Sequence, residues 1–426
     1  MIGMNAKLLT TWLTAVLLIS QISLLNVDAR AALGAGARMA ACGSRTASAQ
    51  NAPQSPEFYK LAEEGNQALY DLDFQAAHDR FQRMADLCPD CPAPYVYLAV
   101  CIWLDTLNKA RRLSPSLFST TYFYAQGSQS DKLDAAADQQ FNDLIDRATT
   151  TSAELLKKNP KDAQALYYQA GSLGVRAAYN GTVRRSFRKA IGDANKAAEI
   201  QAKVLKLDPQ YYDAYLSIGL YEYIIGSLPF FWRLMARLAG LGGGSREGGI
   251  ERLETVIAKG RLASDDARLF LLAIYNREGN LDKSLGLAEY LKAKYPRNYL
   301  LAIERCRLLY AKGDAAEGQR SFEALLNDAR TAREATDIVD YQWAEDLKAG
   351  GDWNHAFDKY TAATRWPGSE QGLVTLSHLN AGRMLDVMGR REEALAEYRQ
   401  VMQRDNIYDA HEQAQAYIKN AYRPGK

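Results

Sequence analysis

A short pattern recurs along this chain about every 34 residues, and a repeat of that length decides the fold before any single residue does. Asp73-Phe74-Gln75-Ala76-Ala77 is followed by Phe81 and then by Pro89. Gly351-Asp352-Trp353-Asn354-His355-Ala356 is followed by Tyr360 and Trp366-Pro367, and Gly389-Arg390-Arg391-Glu392-Glu393-Ala394 by Tyr398. The same phase fits Gly279-Asn280-Leu281 with Pro296, and Gly313-Asp314 with Phe322. In the first three of these copies a Gly/Asp turn precedes a small residue, and an aromatic follows four residues later, one helical turn along the same face. The small residue lets two antiparallel helices cross at close range, and the aromatic fills the space between helix pairs. Pro cannot continue a helix, so Pro89, Pro160, Pro209, Pro296 and Pro367 end one. A single pair cannot bury its apolar face, so copies must stack. The expected fold is an all-α solenoid of antiparallel helix pairs with inserted segments and a C-terminal capping helix at Tyr408 to Tyr422.

The pattern resembles the tetratricopeptide repeat. The residues that carry the resemblance are Gly65, Ala77, Phe81 and Pro89; Pro209 and Gly219; and Gly382, Ala394 and Tyr398. It covers most of residues 58 to 421, which is about eight copies. Three stretches depart from it: one near 114–130, one at 180–189 and one near 223–245. The resemblance implies a non-enzymatic scaffold or adaptor that binds a protein or peptide partner. It also implies that the first helix of each pair lines the binding groove. On that basis the groove presents Asn276, Arg277, Glu304, Arg307, Tyr310, Tyr341, Gln342, Glu345, Asn380 and Arg383. This mixture of aromatic, amide and charged side chains suits an extended peptide or a partner helix.

Composition narrows the partner. The formal net charge is +2, with 24% charged residues. Dedicated nucleic-acid binders are usually strongly basic, so a nucleic-acid partner is not expected. The amino terminus has a different character. Lys7 precedes an uncharged apolar run from Leu8 to Leu25, and Val27-Asp28-Ala29 can serve as a small-residue cleavage site. That order reads as an export signal over 1–29, or as an uncleaved anchor. Residues 30–56, rich in Ala, Gly, Ser and Pro, read as a flexible linker ahead of a helical region at 57–422. Export would place the protein in the periplasm or elsewhere in the cell envelope.

The segment at 229–241 stands apart. Pro229 suits the first turn of a helix, and Phe230, Phe231, Trp232, Leu234, Met235, Leu238 and Leu241 cover most of its circumference. Arg233 and Arg237, four apart, add a thin basic stripe. The segment is too short to span a bilayer. It reads either as a helix covering the solenoid or as a membrane-surface element or lid. The stretch from Ser227-Leu228-Pro229 to Leu253 also resembles the Iml2/TTC39 group of tetratricopeptide proteins, which implies a lipid-related role.

Little else carries chemistry. Cys88-Pro89-Asp90-Cys91 can be a redox pair, half a zinc site or a tight disulfide. Cys88 falls at a helix end rather than a helix start, which disfavours the redox reading. No second cysteine pair exists to complete a zinc site. The glycines at 240–244 follow a helix and lack the lysine of a phosphate loop. Arg184, Arg185, Arg188 and Lys189 form a basic cluster that suits either a solvated face or an acidic partner. No catalytic, metal or cofactor site is expected.

Overall fold

The computed structural model describes residues 55–113, 134–230, 233–234, 244–261 and 263–424. The proposed signal (1–29), nearly all of the linker and the insertion near 114–130 lie outside the described residues. So do Phe231, Trp232 and Arg237. The described residues contain no strand and divide into two units. One comprises Met1–Asp105 with Asp134–Phe270; the other comprises Thr106–Leu133 with Leu271–Lys426.

The helices of the first unit are α1 (Pro56–Tyr70), α2 (Phe74–Leu87), α3 (Pro92–Lys109), α4 (Ala135–Lys158), α5 (Ala163–Thr182), α6 (Phe187–Leu207), α7 (Tyr215–Ser227) and α8 (Arg246–Lys259). The last residues of α3 belong to the second unit, as do those of α9 (Ser264–Arg277). Within the first unit α1 packs on α2, α4 on α5, α5 on α6 and α7 on α8. The α7–α8 contact brings backbone against backbone, because a Cβ at Gly249 would lie 2.4 Å from the Tyr223 nitrogen. The stretch at 180–189 is taken up mostly as helix, since α5 and α6 run for 20 and 21 residues.

The second unit continues with α10 (Leu281–Lys294), α11 (Tyr299–Ala311), α12 (Ala315–Asn327), the short α13 (Ala329–Glu334), α14 (Thr336–Ala349), α15 (Trp353–Arg365), α16 (Gln371–Val387), α17 (Arg391–Met402) and α18 (Ala410–Lys419). Consecutive helices pack on each other from α14 through α18, as do α10 on α11 and α11 on α12. The first helices of successive pairs also lie side by side, α11 against α14, α14 against α16 and α16 against α18. They form an inner layer, with α18 closing the array.

The repeat residues explain this order. Asp73, Asn280, Asp314 and Asp352 each cap the second helix of a pair, accepting a backbone N–H at 3.2–3.3 Å. Such caps satisfy donors that the first turn leaves open. Before two of these helices the chain reverses through Gly313 (φ 88°) and Gly351 (φ 82°), a left-handed conformation that suits glycine. Pro89, Pro160, Pro209, Pro296 and Pro367 each stand two residues beyond the end of α2, α4, α6, α10 and α15. Ala77, Ala356 and Ala394 are fully buried, as are Phe81, Phe322, Tyr360 and Tyr398.

A largely covered arginine, with its side chain 10% exposed, ties the end of α3 into the second unit. Arg111 Nε donates to Asp337 Oδ2 at 3.0 Å, and its Nη2 lies 3.0 Å from Oδ1. It also donates to the Glu334 carbonyl at 2.6 Å and stands over the Trp366 ring at 6.0 Å. The Tyr299 hydroxyl accepts from Arg111 and donates to Asn108 Oδ1 at 2.7 Å.

Candidate functional site

Every groove residue named from the sequence lies in the second unit, on α9, α11, α14 or α16. Most of them bond to one another across the inner layer. Asn276 Nδ2 donates to Glu304 Oε1 at 3.4 Å. Glu304 is buried and pairs with Arg307 at 3.4 Å, while Arg307 Nε lies 3.7 Å from Asp346 Oδ1. Glu345 accepts from Asn380 Nδ2 at 3.3 Å and from Lys348. The Asn380 amide also donates to the Tyr341 hydroxyl at 3.2 Å. Arg383 donates to Asn380 Oδ1 at 2.7 Å, to the Tyr417 hydroxyl at 3.1 Å and to Gln413. Tyr310 accepts from Trp343 Nε1 at 2.9 Å. A polar ladder therefore runs from α9 to α18, with each rung joining neighbouring first helices.

The side chains within reach of an incoming partner are fewer. Arg277 is exposed and Asn276, Arg307, Tyr310, Gln342, Glu345 and Arg383 are half-buried, whereas Glu304, Tyr341 and Asn380 are buried. The ladder bonds Asn276 and Glu345 in place. Residues missed in the sequence, Asp346, Gln413 and Tyr417, complete the ladder. Periodicity alone could have flagged them, because they occupy first-helix or capping-helix positions.

Charge is concentrated around Arg307. Three carboxylates (Glu304, Glu345 and Asp346) face that one guanidinium. Burial pushes the Asp346 carboxyl up from 3.8 to about 7; the nearby Glu304 and Glu345 add to the rise, and Arg307 opposes it. A second carboxylate contact joins the ladder to the repeat itself. The Tyr360 hydroxyl donates to Glu345 Oε1 at 2.5 Å, and the Tyr398 hydroxyl donates to Asp386 Oδ2 at 2.8 Å. At these two copies the repeat's aromatic fills the space between helices and also anchors a carboxylate on the first helix.

The helix pairs, their caps and their packing have the tetratricopeptide fold. No family model and no curated protein matches the chain. Among solved structures it is similar to a tetratricopeptide repeat protein from Parabacteroides merdae, at 14% identity, covering 76% of this chain and 99% of that one, with a TM-score of 0.33. It is also similar to yeast Tom70 (13% identity, 84% and 88% covered, TM-score 0.37). The tetratricopeptide domain of P58(IPK) is a third, at 14% identity, 85% and 88% covered, with a TM-score of 0.21.

The other residues named from the sequence fall elsewhere. Cys88 and Cys91 form a disulfide across the turn after α2, with Cα atoms 5.3 Å apart. Cys101 and Cys306 are buried thiols whose ionisation burial opposes. Phe230 is 75% exposed, and the Arg233 N–H donates to the Pro229 carbonyl at 3.0 Å. Among the described residues no helix is long and apolar enough to cross a membrane. Arg184 is not one of four equivalent surface cations. It donates to Asp138 at 2.7 Å, to Asn142 at 2.8 Å and to Asn180 at 2.9 Å, and stands over the Tyr179 ring at 4.9 Å.

Proposed function

We propose that this protein is a non-enzymatic scaffold that captures a protein or peptide partner on the inner layer of its second unit. The observation that carries this reading is the polar ladder. It joins Asn276, Arg307, Glu345 and Arg383 on successive first helices, beside Arg277 and Gln342, so a bound segment meets side chains already fixed in position. Preorganisation of this kind lowers the entropy that binding must overcome. A mixed amide, cation and carboxylate surface favours an extended peptide or a polar helix face over an apolar one.

We also place the protein in the cell envelope, with residues 1–29 as export signal or anchor. The order of basic, apolar and small residues there supports this, and so does the Cys88–Cys91 disulfide, since such bonds persist in oxidising compartments. Fractionation of cells with mass measurement of the mature chain tests the placement. Recovery of the chain in the cytosol at full mass would overturn it.

Reversing Arg307 or Arg383 would break the ladder and confuse loss of fold with loss of binding. Arg277→Glu combined with Gln342→Lys alters only outer side chains. Partner capture by the full chain, followed by mass spectrometry, should recover a defined protein that the double variant loses while melting unchanged. Equal capture by both forms would remove the inner layer from the account.

A further inference from the structure

We propose that the first unit carries a separate binding pocket for a neutral sugar. A cavity of 370 Å³ opens where the ends of several helices meet. That is within the range of small-molecule clefts, roughly 300–1,000 Å³. Tyr59, Tyr168, Tyr211 and Tyr212 line it. The remaining lining residues are Asp208, Asp213, Gln164, Gln210, Lys259 and Arg261.

The chemistry of the walls selects the ligand. No aliphatic side chain lines the cavity, so a lipid or hydrocarbon chain finds no matching surface. Two carboxylates and two cations line it, so the lining has no net charge to hold a strongly ionic ligand. Every lining side chain can form a hydrogen bond, and together they offer both donors and acceptors. The four phenol rings add flat apolar faces with a negative centre. A sugar ring needs this combination, because it presents C–H faces to aromatic rings and hydroxyls to amides and carboxylates at its edge.

The pocket is also built to hold its shape. Asp213 Oδ1 accepts the backbone N–H groups of Arg261 and Ala263, each at 2.9 Å. Asp208 Oδ1 accepts the Gln210 N–H at 2.9 Å. The Lys259 ammonium stands 5.3 Å from the Tyr212 ring centre, and Tyr211 packs on buried Tyr167 at 4.9 Å. Tyr168 is buried, Tyr211 and Tyr212 are half-buried, and Gln164 and Gln210 are exposed. A phenol floor thus lies beneath an amide rim. All these residues belong to the first unit, so the proposal is independent of the partner surface in the second.

Calorimetric titration of the full chain with D-glucose, D-galactose, N-acetylglucosamine, maltose and cellobiose tests it. At least one of these sugars should bind with a Kd of about 1 mM or tighter. Gln164→Ala with Gln210→Ala, both at exposed rim positions, should weaken that sugar about tenfold or more without moving the melting transition. The proposal fails if no sugar binds at about 10 mM. It also fails if the double variant binds as well as the parent, or if inorganic phosphate binds more tightly than every sugar.

Discussion

At Gly382 an added methyl group would lie 2.5 Å from the Tyr398 ring, and at Gly65 it would lie 2.4 Å from the Phe81 ring. These glycines exist to let an aromatic from the second helix seat against the first. Gly382→Ala should therefore cost about 1–3 kcal/mol through overpacking, read from urea denaturation. Gly286, inside α10, has nothing within 4 Å of such a methyl. Gly286→Ala should instead stabilise by up to about 1 kcal/mol. The tyrosine hydroxyls have their own role. Tyr360→Phe removes one of three donors to half-buried Glu345, which keeps Lys348 and Asn380, and should cost about 0.5–1.5 kcal/mol. Asp346 makes stability depend on pH. Its carboxyl is raised in the folded state from 3.8 to about 7, so the folded chain holds a proton that the unfolded chain releases. This contribution is complete below the unfolded value and is lost as pH rises through about 7. Stability should fall over that interval, and Asp346→Asn should flatten the fall in pH-resolved denaturation.

At the scale of elements, the ends of helices were the most legible part of the sequence. Pro89, Pro160, Pro209, Pro296 and Pro367 mark helix ends because proline cannot continue a helix, a local effect. Asp73, Asp314 and Asp352 act on their own first turn and are equally local. The anchoring of the end of α3 was not legible. Arg111 meets Asp337 across 226 residues of sequence, which no pattern of spacing announces. Breaking a buried pair by removing one partner leaves an uncompensated charge, so Arg111→Ala should destabilise the second unit by about 3–5 kcal/mol. Arg111→Lys should recover only part of this, because an ammonium cannot reproduce the two-pronged contact with Asp337. Thermal melts of the two variants measure the difference.

At the scale of the whole chain, the abundance of tyrosine was visible from the start, with 25 Tyr against 12 Phe. Repeat packing accounts for Tyr360 and Tyr398. It does not account for Tyr59, Tyr168, Tyr211 and Tyr212, which come from three separate stretches and meet only in the folded first unit. The groove positions were legible as first-helix positions of a repeat. Their engagement with one another was not, because pairing across helices depends on tertiary distance rather than spacing. The central claim is that a partner docks on the inner layer of the second unit. Hydrogen exchange of the full chain, alone and with its captured partner, tests it most directly. The account predicts added protection in residues 271–277 and in α11, α14 and α16. Protection confined to α10, α12, α15 and α17, with the inner helices unchanged, would contradict it.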